Sequence, residues 1–147
     1  MRRSFYVLSL ASLLILFTSC QKDTFVTDAR SIEGTWAVTG ITSDRAYDFN
    51  GDGRTETDIY STYNTCGRDI VTVFQGNGAG QMRQGCNAPW QNINWQLQNN
   101  NRTLNIVLPD DVLNLQLQQF DDHTIRGIDQ VQMNGMSFNI TYTFQRR

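Results

Sequence analysis

Strict alternation of apolar and polar residues runs through the chain from Ile32 onward and restricts it to β-structure. Ile93, Trp95 and Leu97 alternate with Asn94, Gln96 and Gln98, and Leu113, Leu115 and Leu117 with Asn114, Gln116 and Gln118. Met136, Phe138, Ile140, Tyr142 and Phe144 alternate with Ser137, Asn139, Thr141, Thr143 and Gln145, and Leu104, Ile106 and Leu108 repeat the pattern. Successive side chains of a strand point to opposite faces, so this period describes strands with one dry and one wet face. No comparable helical stretch follows residue 20. Turn formers punctuate the pattern at Gly76-Asn77-Gly78, Asn99-Asn100-Asn101, Pro109-Asp110-Asp111, Asp121-Asp122 and Asn134-Gly135. Eight strands are expected, near 32–42, 68–75, 79–84, 91–98, 102–108, 112–120, 123–132 and 136–146. Connections this short join antiparallel neighbours and favour an up-and-down meander over a Greek key. Closing the sheet removes its exposed edges. The expected fold is all-β, an eight-stranded antiparallel up-and-down barrel.

The first twenty residues are of another kind. Arg2 and Arg3 supply a positive start, Tyr6 to Phe17 is apolar, and Thr18-Ser19 precede Cys20. A basic start, a short apolar run and small residues before a cleavage point describe a secretory signal. With cysteine next, the segment resembles a bacterial lipoprotein signal, which implies cleavage before Cys20 and lipid on its sulfur. Phe17 departs from the usual aliphatic residue of that motif. The expected organisation is a signal peptide at 1–19, a lipidated cysteine and tether at 20–31, and the barrel at 32–147. Cys20-Gln21-Lys22-Asp23 also resembles the mixed-charge tag of Bacteroidetes lipoproteins carried to the outer face of the outer membrane. The expected location is the outer membrane, on its periplasmic or cell-surface face.

After that cleavage ten basic side chains face fourteen acidic ones, a net charge of −4. Such a surface does not favour nucleic acid, which needs clustered basic groups. Nothing after Cys20 is long and apolar enough to span a bilayer, so attachment rests on the lipid. Cys66 and Cys86 remain as an even pair in an exported chain and read as a disulfide, with two free thiols as the alternative.

Gly34-Thr35-Trp36 opens the first strand. With the secretion signal, eight strands and a long first connection, it resembles lipocalins, whose Gly-x-Trp tryptophan plugs the closed end of the barrel. The cysteine pair and the acidic loop sharpen the likeness to small lipocalin-like lipoproteins of the Bacteroidetes type. The resemblance covers about residues 31–147. Two departures, a shorter domain and no helix after the barrel, weigh against a deep cavity.

The first connection, 43–67, contains Asp48-Phe49-Asn50-Gly51-Asp52-Gly53-Arg54-Thr55-Glu56-Thr57-Asp58. Oxygen ligands at positions one, three and five with Gly at six form the front half of a calcium loop. Asp48, Asn50 and Asp52 would offer side-chain oxygens, Arg54 its carbonyl, and Glu56 or Asp58 the remaining charge. Ile59 stands where an EF-hand carries its bidentate Glu, and no helices flank the loop, so the expectation is a Ca²⁺ loop between strands. The alternative is a plain polar turn, since Asn, Asp and Gly are also the commonest turn formers.

No set of residues reads as catalytic, and the chain is expected not to be an enzyme. His123 follows Asp121-Asp122 at a turn without a second histidine, and Asp110-Asp111 is a turn after Pro109. Trp90, Trp95, Phe74, Phe138, Tyr142 and Phe144 either line a ligand cup or fill a small barrel solidly. The expected function is binding of a small apolar or amphipathic ligand that enters near 43–67. The alternative is a protein-interaction module, such as an envelope-complex subunit or an enzyme inhibitor.

Overall fold

A computed structural model of the protein describes residues 31–147. The signal, Cys20 and most of the tether lie outside the described residues. The described residues form nine strands in order: β1 (Gly34–Tyr47), β2 (Glu56–Asp58), β3 (Ile70–Phe74), β4 (Ala79–Gln84), β5 (Gln91–Gln98), β6 (Thr103–Val107), β7 (Val112–Phe120), β8 (Thr124–Met133) and β9 (Met136–Arg146). One helical turn, α1 (Ile59–Thr62), precedes β3. β1 pairs with both β3 and β9, and every consecutive pair from β3 to β9 is antiparallel. Eight strands therefore close into the expected up-and-down barrel, with β2 an extra short strand on β1. Among the described residues no helix is long and apolar enough to cross a membrane.

Two elements depart from expectation. β1 runs on to Tyr47, and its upper half pairs with β2 through Thr42↔Asp58 and Tyr47↔Glu56. This stretch is polar, and side chains help hold it. Asp44 accepts from the backbone N–H and the Nδ2 of Asn139, both at 3.0 Å. α1 was not expected either. Asp58 caps it by accepting from Ser61 N at 3.0 Å, and Ile59 is buried beneath it.

Bulges keep the apolar face inward where the alternation slips. One between Val38 and Gly40 lets Trp36, Val38 and Ile41 all face the interior, and one between Leu117 and Gln119 does so for Leu117 and Phe120. Left-handed residues make the tight turns. Asn134 (φ 50°) and Gly135 (φ 76°) form the two-residue link of β8 to β9, a geometry that asparagine and glycine adopt at low cost. Asn99, Asn100 and Asn101 all have positive φ between β5 and β6.

The barrel has a closed and an open end. At the closed end Trp36, fully buried, donates its Nε1 to the Ile32 carbonyl at 2.7 Å. Phe74, Leu104, Ile125 and Phe144 are also buried in the core. Gly34 (φ 127°) holds a backbone conformation that favours glycine, and a Cβ there would also displace the Arg146 guanidinium, which would stand 2.5 Å away. The open end gathers the segment between β1 and β3, and the β4–β5, β6–β7 and β8–β9 links.

Candidate ligand cavity and candidate metal loop

A cavity of about 410 Å³ opens at that end. Val38, Ile41, Ile70, Met82, Leu113 and Phe144 give it apolar walls from five strands, with Tyr142 beside them. Tyr63, Gly67, Gln84, Leu108 and Asp111 complete the lining. The volume lies near the low end of the range for small-molecule sites. The six aromatics weighed from sequence divide. Tyr142 lines the cavity, Phe144 belongs to the core and borders the cavity as well, and Phe74 and Phe138 belong to the packed core alone. Trp95 packs edge-on against Phe74 at 5.6 Å, and Trp90 stands outside under the Arg83 guanidinium at 5.3 Å. The interior is thus partly filled and partly open.

The rim is tied down beside the cavity. Cys66 and Cys86 form the expected disulfide, with a Cα–Cα distance of 5.0 Å. It joins the segment before β3 to the β4–β5 link. Arg83 meets Asp69 at 2.6 Å and Gly85 N donates to Asp69 O at 2.9 Å, so the same two segments are held by polar contacts as well. The Tyr60 hydroxyl lies 3.0 Å from the carbonyls of both Val38 and Arg68, fixing α1 to the barrel wall.

The wall is not continuous near the rim. β7 and β8 pair from Phe120↔Ile125 as far as Gln116↔Ile128 and then part. Above that point Val112 to Leu115 stay paired to β6, and Asp129 to Met133 to β9. An open groove of about 700 Å³ lies along the parting, bordered by Asn114, Gln116, Gln130, Gln132, Asp111 and Asp129. Asp111 borders both the groove and the cavity. Asp129 is half-buried, and the backbone N–H groups of Asn114 and Gln130 face its carboxylate and favour its charged form. Burial raises its pKa above the ordinary value despite those donors, and the Asp111 charge adds to the rise. The Tyr142 hydroxyl is pushed up to about 12, first by burial and then by the charges of Asp129, Tyr63 and Asp111. Asp129 was missed from the sequence. Its signal was a charge at an inward position of β8, in the series Ile125, Gly127, Asp129, Val131.

The acidic loop gathers three of its expected ligands. One carboxylate oxygen each from Asp48, Asp52 and Glu56 lies within 4.8 Å of the others, a set that can coordinate a divalent cation. The loop is also built from its own hydrogen bonds. Asp48 accepts from the backbone N–H groups of Gly51 (2.7 Å), Asp52 (3.1 Å) and Gly53 (2.9 Å). Asn50 Oδ1 accepts from Asp52 N at 3.0 Å, and its Nδ2 donates to Asp52 at 3.2 Å. Asp52 accepts from Arg54 N at 2.8 Å, and Glu56 from Phe49 N at 3.0 Å. Asp58 serves as the α1 cap and is not one of the three clustered carboxylates. Because β1 ends at Tyr47, β2 begins at Glu56 and α1 ends at Thr62, the irregular parts before β3 are two short stretches, 48–55 and 63–69. The acidic stretch itself is short and held by its own hydrogen bonds, so its order does not demand an ion.

His123 is exposed in the β7–β8 turn, where its N–H donates to Asp121 at 2.9 Å. Asp110 is exposed in the β6–β7 turn, and the Asp111 charge reaches Asp129. Fold and cavity together define an eight-stranded closed antiparallel β-barrel, consistent with a lipocalin-like architecture, with interior room for a small ligand. The chain matches no family model, no curated protein and no solved structure.

Proposed function

We propose that the protein is a lipid-anchored binding protein of the bacterial envelope that takes a small apolar or amphipathic molecule into the barrel mouth. The observation that carries this reading is the cavity of about 410 Å³ with walls from Val38, Ile41, Ile70, Met82 and Leu113. A filled barrel of this size would leave no such space. The lipoprotein-like signal at 1–20 supports the anchor, and the cluster of Asp48, Asp52 and Glu56 supports Ca²⁺ as a structural ion beside the mouth. Titration with the neutral fluorophore N-phenyl-1-naphthylamine tests the binding site. Fluorescence should rise saturably with the wild type and fail to do so with Leu113→Trp, which places an indole in the cavity. Equal binding by both proteins removes the cavity from the reading. The anchor is tested separately, since Cys20→Ser should move the protein from the membrane to the soluble fraction.

A second reading, a protein-interaction module, is favoured by Val107 and Val112. These are paired neighbours on β6 and β7, 39% and 50% exposed, and Val112 borders the groove. It predicts no ligand from native mass spectrometry of protein purified from its own host.

A further inference from the structure

We infer that the cavity selects ligands with an apolar body and a cationic head, an organic ammonium, whose charge is received by Asp111 and Asp129 where β7 and β8 part. The inference rests on the ligand-binding reading above and names the ligand class of that same site.

The apolar part of the site is the wall of Val38, Ile41, Ile70, Met82 and Leu113. Any charge a ligand carries must therefore stay near the rim or the parting, where polar groups stand. Those groups are all of one sign or neutral. Among the described residues no Lys, Arg or His lines either the cavity or the groove. The acids present are Asp111, which borders both spaces, and Asp129, which borders the groove. Neither forms an ion pair among the described residues. By contrast Asp69, at the same end, is matched by both Arg83 and Arg147. The two acids are close enough that the Asp111 charge hinders ionisation of Asp129, and both reach the Tyr142 hydroxyl in the cavity wall. A cation arriving there relieves that mutual repulsion, whereas an anion adds to it. Tyr63 and Tyr142 also border the cavity, and aromatic rings favour a cation over an anion. The half-buried position of Asp129 keeps the attraction from being fully screened.

The test displaces N-phenyl-1-naphthylamine with three ligands of one chain length: octylammonium, octanol and octanoate. Octylammonium should displace at a concentration about tenfold below octanoate, with octanol between them. Asp111→Asn and Asp129→Asn each keep a hydrogen-bond acceptor and should each shrink the ratio. Together they should bring it to about one while fluorophore binding persists. Asp110→Asn changes the net charge equally, one residue away in the same turn, and should leave the ratio unchanged. A ratio of one in the wild type, or a ratio that survives the double substitution or falls equally with Asp110→Asn, overturns the inference and leaves ligand binding standing. Absence of fluorophore binding overturns both.

Discussion

The Arg146 guanidinium carbon lies 4.3 Å from the centroid of the Trp36 ring, so the last strand lays a cation across the aromatic plug of the first. Register makes this contact, since Trp36 and Arg146 are direct partners in the β1–β9 ladder. The same guanidinium donates to Asp122 O at 2.6 Å, Glu33 O at 2.7 Å and Ser31 O at 2.9 Å. One side chain thereby ties the chain leading into β1, the β7–β8 turn and the end of β9 into the barrel floor.

Arg146→Lys tests that clamp. Lysine keeps the charge but cannot satisfy three carbonyls in a planar fork while stacked on the indole. The loss should be about 2–3 kcal/mol in urea denaturation, from the hydrogen bonds and the cation–π contact together. Wild-type stability in the lysine variant would show that charge alone matters there.

Thr72 makes the opposite prediction. It is fully buried opposite Trp36, and its Oγ1 has no hydrogen-bond partner among the described residues. Desolvating an unpaired hydroxyl costs stability, so the near-isosteric Thr72→Val should stabilise by about 1 kcal/mol. A decrease measured in the same denaturation series would point to a water or another partner holding the hydroxyl.

Much of this fold is legible in the sequence, for reasons specific to each element. Leu113, Leu115 and Leu117 face the interior and alternate with amides, so β7 runs over the expected residues. Asn134-Gly135 marks its hairpin because both residues adopt positive φ. β2 was hidden because Glu-Thr-Asp has no apolar face, and α1 because four residues carry no helical period. The front of the acidic loop was legible in its spacing, but the capping role of Asp58 depends on where α1 starts. The cavity was not legible. It is the space left by side chains from five strands, and no single segment encodes it. Asp129 matters through the parting of β7 from β8, a break in pairing that strand patterns do not report.

The disulfide closes 20 residues of separation around the rim. In the chain-entropy model such a loop contributes about 3 kcal/mol. Replacing both Cys66 and Cys86 by Ser should lower the melting temperature by about 10 °C. The Arg83–Asp69 contact across the same segments should leave the barrel folded, so the strand CD signal before melting should be unchanged. A melting temperature within 2 or 3 degrees of wild type would mean that the polar contacts already hold the rim.

Tyr142 gives a pH dependence with a definite sign. Its folded pKa is raised to about 12 from 10.0. Between those values the unfolded chain releases a proton that the folded chain keeps. The folded state therefore binds more protons, and stability falls as pH rises through the window. The drop should be at most about 2 kcal/mol, reduced by the partial exposure of the ring. Tyr142→Phe removes the group, and its stability should decline less than that of wild type between pH 10 and 12. Parallel declines in denaturant titrations at both ends of the window would refute the assignment.

Glu56 separates the metal from the turn. Its Oε1 accepts from Phe49 N, so Glu56→Gln keeps the acceptor while removing one charge from the cluster with Asp48 and Asp52. Asp48→Ala would not serve, because it also removes the acceptor of three backbone N–H groups. Extracellular calcium sites bind with dissociation constants of about 0.1–1 mM. At ten times that concentration, binding to the folded state alone adds about 1.4 kcal/mol. That raises the melting temperature of a domain of this size by a few degrees. Thermal melts in millimolar Ca²⁺ and in chelator should differ by that amount for wild type. For Glu56→Gln the two melts should nearly coincide, at the wild-type chelator value. Identical wild-type melts in the two conditions would make 48–55 a self-sufficient turn, held by Asp48 and the backbone it caps.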